Sequence, residues 1–149
     1  MTHIAFHTGV ADPMAYACRL LRKAYRSGAR VTVLAPPTLL GRLDQALWTF
    51  DPHEFVPHVR APAGSVLHVG AHRTPIWLCS TLVDGAPRQI AVNLGLDSLK
   101  ELESFERIIE IFSRRPEDHE AGRARWRAYK AAGHELVHHA ADGDATPGG

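Results

Sequence analysis

The alternation of apolar runs and chain-breaking residues over the first fifty positions constrains this chain more than any other feature. Ile4-Ala5-Phe6-His7 predicts a short first strand. Asp12-Pro13 predicts a helix start: Asp12 is a good N-cap, and the missing N–H of Pro13 is harmless in the first turn. Ala17, Leu20, Leu21 and Ala24 then recur at helical spacing, and Ser27-Gly28 stops the helix. Arg30 to Ala35 is a β-branched second strand. Pro36-Pro37 ends it, and Leu39 to Trp48 forms a second helix with Leu39, Leu40, Leu43, Ala46 and Leu47 as its apolar set. Strand–helix–strand–helix alternation predicts an α/β fold with a mostly parallel central sheet flanked by helices in three layers.

The segment from Asp51 to Pro75 is rich in Pro, Gly and His, which predicts loop with one weak strand at Val66-Leu67-His68-Val69. Ile76-Trp77-Leu78-Cys79 and Gln89 to Leu94 are two further strands, joined by a turn around Asp84-Gly85. Leu99, Leu102, Phe105, Ile108, Ile109 and Phe112 fit the period of an amphipathic helix. A last helix is predicted from Glu117 to Ala132, ending at Gly133. Residues 1–136 form one domain in this reading, and 137–149 a disordered tail that includes His138-His139.

Composition excludes several classes. With 17 basic against 16 acidic residues the net charge is +1, so any nucleic-acid contact needs a local patch. Cys18 and Cys79 lack metal or redox spacing and read as buried thiols of a reducing compartment. No apolar run approaches the length of a membrane span, and Met1 leads into a strand rather than a signal sequence. A cytoplasmic protein is expected.

No catalytic grammar stands out. The turn Thr8-Gly9-Val10-Ala11-Asp12 sits where a mononucleotide fold cradles phosphate, but it has one glycine and an acidic cap that repels an anion. It reads as a plain capped helix. His53, His58, His68 and His72 crowd the central loops without the paired Cys/His spacing of a zinc site, so no metal and no cofactor is expected. Ser65, Ser80 and Cys79 have no base placed near them by any motif.

The last helix is more informative. Arg114, Arg115, Arg123, Arg125, Arg127 and Lys130 outnumber Glu117, Asp118 and Glu120. Arg123, Trp126, Arg127 and Lys130 follow i, i+3, i+4, i+7 and share a face. Ala124, Ala128 and Ala131 share another, small enough to pack on the sheet, which leaves the basic-aromatic face to solvent. A charged helix face is commonly just solvated, but an indole among guanidinium groups has the composition of a binding hot spot. An acidic peptide with an apolar anchor suits it, since carboxylates take Arg forks and the anchor takes the ring. Single-stranded nucleic acid is the alternative ligand. A small nucleotide-dependent enzyme is a third class.

Three segments carry a family likeness: Arg42-Leu43-Asp44-x-Ala46-Leu47-Trp48, then Phe55-Val56-Pro57-His58, then Arg125-Trp126-Arg127-Ala128-Tyr129-Lys130-x-Ala132-Gly133. With Arg26-Ser27-Gly28-x-Arg30-Val31 before them, the chain resembles the chi subunit of bacterial DNA polymerase III up to Gly133. The resemblance implies a non-catalytic accessory subunit of the clamp loader. It implies two partners, the psi subunit and the acidic, apolar C-terminal tail of single-stranded DNA-binding protein, through which it meets single-stranded DNA indirectly. By position, the tail site comprises Phe112, Arg123, Trp126, Arg127 and Lys130, and the psi surface includes Trp48 and Phe55. Trp126 stands where the family often has Tyr, and Arg127 where it often has Lys; ring and charge are kept, but Arg and Lys bind carboxylates differently.

Overall fold

A computed structural model describes residues 2–61 and 72–141. Their central feature is one seven-stranded sheet in which every pairing is parallel. In chain order the elements are β1 (His3–Val10), α1 (Pro13–Arg26), β2 (Val31–Leu34), α2 (Pro37–Thr49) and β3 (His58–Arg60). They continue with β4 (Ile76–Cys79), β5 (Ile90–Asn93), β6 (Arg107–Ser113), α3 (Pro116–Ala131) and β7 (Glu135–Ala140). Across the sheet the strands run β3-β4-β2-β5-β6-β1-β7. The chain is an α/β protein with a single parallel sheet, as its opening alternation predicts.

The first half follows its local signals. The Asp12 carboxylate accepts from the Ala15 N–H at 3.1 Å, and Pro13 opens α1. Gly28 takes a φ of +80° just beyond the helix, a conformation that glycine adopts at no steric cost. Pro37 opens α2, whose Leu40, Leu43 and Leu47 are buried. Thr8, Gly9 and Val10 are the end of β1, so only Ala11 and the capping Asp12 separate that strand from α1.

The two sheet faces carry different cores. Ala17, Cys18 and Leu21 of α1 and Leu40, Leu43 and Leu47 of α2 pack with Val31, Val33, Ile76, Leu78, Val92, Ile109 and Ile111. On the other face Ile4, Phe6, Ile108 and Phe112 pack with Trp126 and Tyr129 of α3. The sheet therefore lies between the α1–α2 layer and α3. Cys18 and Cys79 are free, buried thiols, and burial pushes each up to about 11.

Three expectations are corrected. The amphipathic helix from Leu99 to Phe112 is absent. Leu102–Ser104 is one 3-10 turn, entered through Glu101 at a left-handed φ of 52°, and β6 follows. In β6, Ile108 through Phe112 are all buried, because a central parallel strand is covered on both faces. Such an unbroken apolar run matches a helical template as readily as a strand, and the β-branched Ile108, Ile109 and Ile111 were the signal for strand.

The second correction concerns the C-terminal segment. Gly133, with φ +86°, ends α3, and β7 pairs alongside β1 from His3↔Glu135 to Thr8↔Ala140. Residues 137–140, His138 and His139 among them, are strand rather than tail. Residues 142–149 lie outside the described residues.

The third lies in α3. Ala124, Ala128 and Ala131 are exposed, and the inward stripe is Gly122, Arg125, Trp126 and Tyr129. Small size marked the alanines as packing residues, but a longer inward stripe wins because the sheet offers α3 a buried acid and an aromatic bed. In the Asp51–Pro75 segment, β3 adds a short edge strand; the strand expected at Val66–Val69 falls outside the described residues.

Candidate functional site

The position of α3 is set by a buried polar knot. Glu110 points from β6 into the α3 side of the sheet and is 1% exposed. Its Oε2 accepts from an Arg125 guanidinium nitrogen at 2.7 Å and from the Tyr129 hydroxyl at 2.7 Å. Its Oε1 accepts from Asn93 Nδ2 at 2.9 Å. Arg125 also donates to the Leu96 carbonyl, and Asn93 Oδ1 accepts from the Leu96 N–H at 3.0 Å. Burial pushes the Glu110 carboxyl up, against the pull of Arg125, Tyr129 and Asn93. The same surroundings raise the Tyr129 hydroxyl to about 12, burial first and the Glu110 charge second. A buried carboxylate is tolerable only when its lone pairs are filled, so Arg125 and Tyr129 have one docking register on the sheet.

That register places Trp126 on an aromatic floor. Its ring meets Phe6 edge-on at 5.2 Å between centroids, and Phe6 stacks on Phe112 at 5.7 Å. Gly122 lies directly over Phe112, where a Cβ would sit 3.5 Å from the ring. The N-terminus of α3 is tied to β6 by Asp118, which accepts from the Ser113 N–H at 3.0 Å and its hydroxyl at 2.7 Å.

Between α3 and the ends of β1, β6 and β7 this leaves a mostly apolar pocket of about 340 Å³. Phe6, Phe112 and Trp126 form its apolar surface, with Thr8 and His138, which hydrogen-bond each other at 2.6 Å, alongside. Arg123 and Arg127 are exposed lining residues, and neither is in an ion pair among the described residues. The arrangement suits an apolar group that enters with a negative charge beside it.

Of the five residues assigned to this face, Phe112, Arg123, Trp126 and Arg127 line one pocket. Lys130 is exposed on the same stripe but is not among the lining residues. Trp126 is half-buried against the sheet, so the basic-aromatic face is not wholly left to solvent. Phe6, Thr8, Gly122 and His138 were missed. The short run Leu136-Val137-His138-His139 has no apolar alternation to mark it as the strand that brings a histidine here.

Trp48 and Phe55 lie elsewhere. They are 60% and 47% exposed, among the largest exposed apolar side chains, and their rings are 4.9 Å apart. His58 lies beside both rings, at 5.6 and 5.8 Å. It is locked by bonds from Nδ1 to the Val56 carbonyl and from Nε2 to the Asp44 carboxylate, both at 2.8 Å. Leu43 and Leu47 beneath serve the core. His58 is thereby structural. Among the described residues no three His, Cys, Asp or Glu side chains are grouped to hold a metal ion, and no helix is long and apolar enough to cross a membrane.

Residues 1–137 match the family described as DNA polymerase III chi subunit, HolC. The chain is 31% identical over 144 residues to the DNA polymerase III subunit chi of Pseudomonas aeruginosa, an alignment covering 93% of this chain and 96% of that protein. The two matches, each spanning nearly the whole chain, make this chain a member of the DNA polymerase III chi subunit family.

Proposed function

We propose that this chi-family chain is a non-catalytic bridge in the cytoplasmic replication machinery. It captures the C-terminal tail of single-stranded DNA-binding protein in the α3 pocket and docks on the psi subunit through the Trp48–Phe55 surface. The captured tail links the chain to single-stranded DNA indirectly, through the protein that coats it.

The observation that carries the tail reading is the pairing of an apolar pocket built by Phe6, Phe112 and Trp126 with the guanidinium groups of Arg123 and Arg127, which are in no ion pair among the described residues. The tail's apolar end fills the pocket and its carboxylates meet the guanidinium forks. Lys130 adds charge from outside the pocket. Exposed, mutually stacked Trp48 and Phe55 support the psi reading, since paired aromatics are the usual anchors of a protein interface.

The test is calorimetric titration of a synthetic tail peptide into the protein and into Arg123→Ala and Trp126→Ala. Weaker binding by both variants is expected; unchanged affinity sinks the tail assignment. For psi, co-purification of the pair with Trp48→Ala and Phe55→Ala decides, and a complex that survives both substitutions removes that surface.

A further inference from the structure

Helix α1 carries a second, unassigned charge pattern. Arg19, Arg22, Lys23 and Arg26 fall at i, i+3, i+4 and i+7, and no acid lies anywhere between Pro13 and Arg26. The stripe divides in two. Arg22 pairs with Asp51 at 3.0 Å and Arg26 hydrogen-bonds Glu54 at 2.8 Å, which fastens α1 to the loop after α2. Arg19 and Lys23 have no carboxylate partner among the described residues.

These two cations line a cleft of about 450 Å³ between α1 and the sheet. Arg107 of β6 and His139 of β7 line it too, as do the apolar Leu20, Ile90 and Ile109. Among the described residues, no acidic side chain lines it. Arg107, like Arg19 and Lys23, is in no ion pair among the described residues. The Arg19 Nε is buried without a hydrogen-bond partner; the other such atom among the described residues, Arg125 Nε, belongs to the Glu110 knot. A guanidinium nitrogen that is dry and unpaired lacks an acceptor. His7 also lines the cleft. Burial first, and the neighbouring His139, Arg107, His138 and Lys23 after it, depress its imidazole to about 4.

We propose that this cleft binds the phosphodiester backbone of single-stranded DNA directly. Among the described residues, three cations in no ion pair face one groove without a competing acid, and the family places the chain in a DNA polymerase complex. A duplex hides its bases, whereas a single strand can lay a base on the His139 ring and the apolar floor while its phosphates meet Arg19, Lys23 and Arg107. The cleft lies on the opposite face of the sheet from the α3 pocket, so neither ligand blocks the other. The proposal does not depend on the tail reading.

The test is fluorescence anisotropy of a labelled oligothymidylate of about a dozen nucleotides, over a range of salt. The proteins are the full chain, the triple variant Arg19→Gln, Lys23→Gln, Arg107→Gln, and Arg123→Ala. The unaltered protein is expected to bind at low salt, and the triple variant to lose on the order of tenfold or more in affinity. Its log–log salt slope is expected to fall by about two, since each lost phosphate contact removes roughly 0.7. Arg123→Ala is expected to bind the oligonucleotide normally. No binding by the unaltered protein overturns the proposal, as does equal binding by the triple variant. Loss of DNA binding by Arg123→Ala overturns it too, because the strand then lies on the α3 face. A polyglutamate probe that binds through the three cations where the oligonucleotide does not assigns the cleft to acidic peptides instead. Thermal melts of the triple variant monitor folding, and single substitutions replace it if it melts early. Tail-peptide titration of the unaltered protein separates failure of the tail reading from failure of this one.

Discussion

His138 and His139 are consecutive residues of β7, yet they line different pockets on opposite faces of the sheet. Strand alternation sends one ring towards Trp126, 6.4 Å away, and the other towards His7, 5.0 Å away. The same alternation in β1 divides Phe6 from His7. Two adjacent parallel strands thus furnish both faces, which is why substitutions on one face are expected to leave the other intact.

On the α3 face the expected losses are graded. Arg123→Ala and Trp126→Ala each reduce tail-peptide affinity by about 1–3 kcal/mol. Lys130→Ala, which lies outside the pocket, changes it by roughly 0.5 kcal/mol or less, as an exposed charge does. Calorimetric titration at one fixed salt concentration ranks the three, and a Lys130 effect equal to that of Trp126 contradicts the geometry.

Removing Arg125 is expected to act through the fold. Arg125→Ala leaves Glu110 buried without its cation, which costs about 3–5 kcal/mol of stability. Because Arg125 holds α3 on the sheet, tail affinity also falls, although Arg125 does not line the pocket. Urea denaturation together with peptide titration reports both effects; a stable variant with normal binding contradicts the docking role of the Glu110 knot.

Gly122→Ala is expected to stabilise the protein. The added Cβ meets the Phe112 ring at ordinary contact distance, 3.5 Å, and the helix gains roughly 0.5–1 kcal/mol from losing an interior glycine. A higher melting temperature is the expected result. A lower one means that α3 sits closer to Phe112 than this geometry allows.

Acid sensitivity is expected from His7. It is buried, its Nδ1 is bonded to the Tyr16 hydroxyl, and it is held at about 4, well below the ordinary histidine value near 6.5. From about pH 6.5 down to about pH 4 the unfolded chain takes up a proton that the folded protein refuses. Stability therefore falls as pH drops through that window, by about 1–3 kcal/mol, and His7 contributes no pH dependence above it. Urea midpoints from pH 7 to pH 4 measure the slope, and His7→Gln is expected to flatten it. An unchanged slope places the acid sensitivity elsewhere.

Much of this protein was legible from local signals. The Asp12-Pro13 and Pro36-Pro37 boundaries and the Gly28 stop are short-range chemistry, and they hold wherever the chain packs. The segments around Trp48 and Trp126 were enough to indicate the family. Local pattern failed where burial on two faces imitates a helical period, as in Leu99–Phe112, and where an exposed edge strand, β7, carries too little apolar alternation to announce itself.

The sequence by itself determined a parallel α/β fold, the first two helices and the basic-aromatic character of α3. Only the tertiary structure decided which face of α3 turns inward. That choice depends on Glu110, fifteen residues from Arg125 in the chain, and on Phe6 from the first strand. Pairing a buried carboxylate and covering an aromatic floor are long-range demands that outweigh the packing preference of three alanines. The same demands bring Arg123 and Arg127 to the edge of an apolar pocket, and β7 to the strand beside it.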